Sequence, residues 1–174
     1  MEFALSEEQG ILAESIKKMF DENISIDNLR DHSKGDKSLR ETIRESIIDM
    51  GLPGLMIPEE YGGSGLGVLE ASLVAEQIGS YAVPSPWIGN SIMAPTAILF
   101  EKDNHLAEKW LPLIASGEIT ACISLSEVIG KRDDLGLTIS GDKVSGINIF
   151  GIDGELNPAI IITAVNNNLI LIET

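Results

Sequence analysis

One cysteine, Cys122, is all the thiol chemistry the chain contains. A single cysteine closes no internal disulfide and cannot build a cysteine-ligated zinc cluster. The scarcity points to a reducing compartment, and a cytoplasmic location is the expectation. Histidine is as scarce, with His32 and His105 at a spacing that fits no metal motif. No metal site is expected. Positive charge is also short. Lys and Arg total 12 against 27 Asp and Glu, a formal net charge of -15. That balance excludes long-range attraction to nucleic acid or to an anionic membrane. No apolar run approaches the ~18 residues of a membrane span. The amino terminus lacks the basic-then-apolar order of a secretory signal.

What is present reads as a globular chain. Hydrophobic residues make up 44% and charged residues 22% of 174 positions. That is enough for one or two domains with a real core. The sequence turns on Gly51 to Gly67, GLPGLMIPEEYGGSGLG, where Pro53 and Pro58 fix backbone angles and the glycines relax them. The run lacks both GxxxxGK[ST] and GxGxxG, and no strand precedes it. A folded connector between helices explains it better than a phosphate cradle.

Helical patterns flank the connector. Ser6 and Gln9 form a capping-box pair ahead of Leu12, Ile16, Met19 and Phe20. A short helix or turn is expected at Ile26 to Arg30. Ser38 with Glu41 repeats the capping spacing before Leu39, Ile43, Ile47 and Met50. Val68 to Ile78 is apolar around most of its circumference and should be largely buried. Pro84 and Pro86 favour an extended entry to Trp87, and Pro95 is a candidate kink before Phe100. Asn104 caps a last helix that carries Pro112 and ends at Ser116 to Glu118. This gives five or six helices.

The period then changes. Ile119 to Ser126 alternates as a strand with two distinct faces. Leu137 and Ile139, then Val144 to Phe150, read as strands joined by a Ser140-Gly141-Asp142 turn. Pro158 to Val165 and Leu169 to Ile172 read as a strand pair joined through Asn166 to Asn168. The expected fold class is α+β. A helical domain over 1–117 precedes a β-domain over 118–174 that ends inside its strand pattern.

The segments IIDMGLPGLMIPEEYGGSGLG and KWLPLIASGEITACISLSE, in that order, resemble the amino-terminal part of a flavin-dependent acyl-CoA dehydrogenase. The resemblance runs from about Leu5 to the end of the chain. It implies an N-terminal orthogonal, up-down helical bundle and an incomplete middle β-barrel, without the carboxyl-terminal helical bundle. It further implies FAD in the intact assembly and an acyl-CoA substrate. A glutamate would take the α-proton and a β-hydride would pass to the flavin, giving a 2,3-enoyl-CoA. An electron-transfer flavoprotein, and a homo-oligomer or complementary subunit, are the implied partners.

By the same resemblance, Ile123-Ser124-Leu125-Ser126-Glu127 matches the strand beside the flavin. Leu125 backbone groups and the Ser126 hydroxyl become candidate flavin contacts, and Glu127 a structural residue. Phe150 matches an aromatic position near the flavin, while Ile152 stands where the family has a threonine and can offer no hydroxyl. Lys131 and Arg132 replace a glycine-serine pair, and Asp133 matches the aspartate that follows it. The catalytic glutamate belongs to the missing bundle. Glu59, Glu60 and Glu155 read as surface residues, so no catalytic residue is assigned and the isolated chain is expected to be inactive. Two other readings remain. One is a noncatalytic assembly subunit that retains the fold. The other is a related flavoenzyme with a nonstandard substrate, such as a nitroalkane or an aromatic compound.

Overall fold

The computed structural model describes residues 4–101, 104–125, 136–154, 157–165 and 168–174. Helix α1, Glu7–Asn23, starts as its sequence directs. The Ser6 hydroxyl accepts from the Gln9 N–H, and the Gln9 side chain accepts from the Ser6 N–H. Ile16 and Phe20 are its buried residues. Helix α2, Ile26–Ser33, is longer than the sequence suggests and is capped reciprocally by Ser25 and Asn28.

Helix α3, Ser38–Asp49, departs from the expected cap. Lys37 occupies the capping position and Ser38 is already helical. The exposed first-turn N–H of Ser38 donates instead to the Asp36 carboxylate at 2.7 Å. A negative group one step upstream does the work that a serine hydroxyl would do. Gly51 then ends the helix at φ +69°.

The connector folds on itself. Single 3-10 turns at Leu52–Gly54 and Glu59–Tyr61 are tied by Ser64 N–H to the Gly54 carbonyl and Gly65 N–H to the Ile57 carbonyl. A Cβ on Gly63 would lie 2.0 Å from the Ile57 carbonyl oxygen and 2.5 Å from that of Gly54. Only glycine fits between these two strands of the loop. Those inward bonds use the backbone groups that a phosphate would need.

Helix α4, Val68–Ser80, is not enclosed all round. Ala71, Leu73 and Val74 are buried, yet Val68 and Leu69 are 66% and 54% exposed. The apolar surplus lies on the outer face, where composition could not place it. Trp87 reaches back to α4 and donates its indole N–H to the Ala71 carbonyl. The chain from Trp87 to Met93 winds as a π-helix and passes directly into α5, Ala94–Phe100, with Pro95 in its first turn. The kink expected at Pro95 is thus a change of helix type. Helix α6, Asn104–Ala115, carries Pro112 internally and buries Trp110, Leu111 and Ile114.

Six strands follow. β1 (Ala121–Ser124) lies between β4 (Gly151–Ile152) and β5 (Ile160–Val165), and β5 pairs with β6 (Asn168–Glu173), giving the order β4-β1-β5-β6. β1 is parallel to β5 and antiparallel to β4. β2 (Gly136–Ser140) and β3 (Lys143–Ile147) form a separate hairpin whose turn uses Gly141 at φ +64°. The described strands form an open sheet, not a closed barrel.

β1 corrects the two-faced expectation. All four of its residues are buried. Ala121 and Ile123 join a core with Trp110, Leu111, Ile114, Ile160 and Ile162. On the other face the Cys122 sulfur is packed by Gly151 and Gly154, and the Ser124 hydroxyl donates to the Ile149 carbonyl. Alternation marks a strand with one wet face, whereas a central strand covered twice hides even its polar members. The core spans residue 117, so the helical and β-regions share buried surface.

Candidate functional site

The sheet meets the helices through a two-way polar clasp. Asp153, held at φ +65°, places one carboxylate oxygen 2.6 Å from the Gly89 nitrogen and 3.1 Å from that of Asn90. These are donors from the start of the π-helix, which carries no other side-chain cap. In return the buried Asn90 side chain accepts the Ala121 N–H of β1 at 2.8 Å and donates to the Ser91 hydroxyl. Gly89 must be glycine, because a Cβ would sit 2.6 Å from the Ile152 carbonyl oxygen and 2.7 Å from Asp153.

Burial pushes the Asp153 carboxyl above its ordinary value, and the two backbone donors pull it part of the way back. The Cys122 thiol is pushed up as well, first by burial and then by the charge of Asp153. A raised thiol is a weak nucleophile, so Cys122 is a packing residue here.

The clasp positions the edge where the sequence put its site. β1 stops at Ser124, and the next N–H, that of Leu125, donates to the Phe150 carbonyl at 3.4 Å. The structure therefore brings Leu125 and Phe150 together at the end of β1. Ser126, Glu127, Lys131, Arg132, Asp133 and Glu155 lie outside the described residues.

Phe150 is not the β-core residue that its sequence position allows. It sits between β3 and β4 at φ +57° and is 49% exposed. Ile152 does pair in the sheet, opposite Ile123. Two residues before Phe150, Asn148 donates to the Thr163 hydroxyl at 2.7 Å, while its own side-chain oxygen is buried without a hydrogen-bond partner among the described residues. Glu59 and Glu60 are exposed on the connector, as the sequence suggests. Among the described residues no group of three or more His, Cys, Asp or Glu could hold a metal ion, and no helix is long and apolar enough to cross a membrane.

Gly89, Asn90 and Asp153 are not among the residues that the sequence pattern singles out. The IDG tripeptide at Ile152-Asp153-Gly154 was the available signal, because Asp tolerates the left-handed backbone that such a turn requires.

Comparison with known proteins gives this geometry its context. Residues 6–118 match the family described as acyl-CoA dehydrogenase, N-terminal domain. The chain belongs to the acyl-CoA dehydrogenase family. Mitochondrial isovaleryl-CoA dehydrogenase from Pongo abelii is 32% identical over 142 residues, covering 80% of this chain and 33% of that protein. The (2S)-methylsuccinyl-CoA dehydrogenase of Cereibacter sphaeroides is 31% identical over 116 residues, covering 66% and 21%. Among solved structures, the ChsE4-ChsE5 complex from Mycobacterium tuberculosis superposes with a TM-score of 0.82 at 20% identity, over 99% of this chain and 49% of that one. Acyl-CoA dehydrogenase complexed with FAD from Bacillus anthracis gives 0.74 at 19% identity, over 97% and 31%. This acyl-CoA dehydrogenase chain thus spans a third or less of these curated relatives and at most half of these solved chains.

A flavin fits this edge in part. The exposed Phe150 ring offers an apolar wall beside the strand end. Ile152 contributes no hydroxyl.

Proposed function

We propose that this chain is the flavin-flanking amino-terminal half of an FAD-dependent oxidoreductase that converts an acyl-CoA to a 2,3-enoyl-CoA. The observation that carries the reading is the pairing of Leu125 with Phe150 at the end of β1, on a family fold. The flavin, when bound, accepts the hydride. The chain's own residues do the placing. Phe150 walls the ring, Leu125 fixes the strand end, and the clasp of Asp153 with Gly89 and Asn90 holds that edge against the helices.

No carboxylate here is assigned the α-proton. The half-buried acid Asp153 already accepts two backbone N–H bonds and so serves the fold. The base and the rest of the flavin enclosure come from the other half of the fold, in the same polypeptide or in a complementary subunit. An electron-transfer flavoprotein is the proposed acceptor.

The test is anaerobic addition of short, branched and long acyl-CoA thioesters to the gene product purified from its own cell. The reading predicts bleaching of a bound flavin by at least one thioester. A flavin that nitroalkanes or aromatic substrates bleach, and thioesters do not, contradicts it. A product with no flavin under any loading condition contradicts it as well.

A further inference from the structure

Positive charge is rare in this chain, and most of the described cations are already spent. Lys17, Lys18, Arg30, Lys34 and Lys109 each face a carboxylate within 4.0 Å. Among the described residues, Lys37, Arg40, Arg44 and Lys143 have no such partner. Three of those four converge. Lys37, Arg40 and Arg44 succeed one another along one face of α3 and its cap, and all line a single cleft of about 440 Å³. Arg44 uses one guanidinium nitrogen on the Gly117 carbonyl, at 2.7 Å. Arg40 is half-buried and also borders an adjoining hollow beside His32.

Away from α3, the half-buried Pro86 and Ile119 add apolar surface to the same cleft. We propose that this cleft binds a phosphate ester with a flat apolar body, the nucleoside diphosphate class. Guanidinium forks match phosphate oxygens in pairs, and a flat ring stacks on an apolar wall. The volume lies within the range of small-molecule sites, roughly 300–1,000 Å³, and far exceeds what inorganic phosphate fills. Glu41 and Glu118 line the cleft too and pair with none of the three cations. They leave it with a small excess of positive charge, so affinity must come from directed hydrogen bonds and the apolar wall, not from net field. Leu125 and Phe150 do not line the cleft, so the inference stands apart from the flavin reading.

The experiment is calorimetric titration of the 174-residue chain with ADP, and with inorganic phosphate and adenosine as separate probes. ADP should bind saturably at one site, and each of the other two should bind more weakly. Arg40→Gln should weaken ADP by roughly tenfold or more, since it removes a charge-assisted pair. Lys143→Gln, which removes an unpaired cation outside the cleft, should leave binding unchanged. Thermal melts of both variants establish that they fold. A folded Lys37→Gln variant supplies the charge test should Arg40→Gln not fold. ADP binding that ignores these α3 substitutions, or no saturable ADP binding at millimolar concentration, overturns the proposal. Phosphate binding as tightly as ADP overturns the apolar half of it.

Discussion

The carboxylate of Asp153 accepts the backbone N–H of Gly89 at 2.6 Å, across 64 positions of sequence. One side chain thereby closes the open start of the π-helix and anchors β4 to the helical region. Asp153→Ala should cost about 1–3 kcal/mol, because two part-buried N–H groups lose their acceptor. Asp153→Asn keeps an acceptor oxygen and should cost less. Chemical denaturation of the three proteins measures the order.

The same residue carries a pH signature. Its folded-state carboxyl lies above its ordinary value. Its contribution is therefore fully present below the unfolded value and is lost as pH rises through the folded value. Asp153→Asn cannot ionise. Its stability relative to the parent should improve as pH rises through that window. Asp21 and Glu70 have the opposite sign. Hydrogen bonds from Tyr81 and Lys17 hold Asp21 low, and bonds from Gln9 and backbone N–H groups hold Glu70 low. Their contributions are present above the ordinary carboxylate range and lost as pH falls. Melts of Asp21→Asn and Glu70→Gln should converge with the parent in acid. Parallel curves at all pH values would contradict this.

Three glycines separate packing from propensity. A Cβ at Gly63 or Gly89 meets carbonyl oxygens at 2.0 and 2.6 Å, whereas one at Gly79 in α4 meets nothing within 4 Å. Gly63→Ala and Gly89→Ala should each destabilise by about 1–3 kcal/mol. Gly79→Ala should stabilise by roughly 0.5–1 kcal/mol, since alanine loses less entropy in a helix. Urea midpoints test all three.

Trp110 is buried, and its indole N–H has no hydrogen-bond acceptor among the described residues, while the Lys109 ammonium stands 4.3 Å from the ring centroid. Trp110→Ala should cost about 3–5 kcal/mol through the cavity it leaves. Trp110→Phe should cost far less, because it removes an unsatisfied donor along with the lost volume. Equal losses for the two would contradict the packing argument.

The parts of the fold that rest on short-range periodicity were legible in the sequence. Ser6 and Gln9 announced α1, and Gly51 its later counterpart at the end of α3. The β5–β6 pair also followed from its apolar runs. Features set by contacts distant in sequence were hidden. Nothing local shows that Trp87 to Met93 winds as a π-helix, because the acceptor that closes its start is Asp153. Nothing local shows that Cys122 and Ser124 are covered, because the cover comes from residues 149–154. Leu125 and Phe150 were legible as site candidates only through family resemblance. Their spacing of 25 residues carries no periodic signal, and the hydrogen bond that joins them appears only in the fold.

Phe150 offers the most direct measurement. It is half-exposed in a left-handed backbone, so its ring adds little to the core. Flavin absorbance and FAD retention should be measured on the gene product as isolated from its cell, alongside Phe150→Gly. The account predicts a parent that holds FAD, and a variant at least as stable, since glycine relieves the positive φ, that loses it. A variant that keeps FAD as tightly as the parent, or a parent that never binds it, would contradict the assignment of this edge to the flavin.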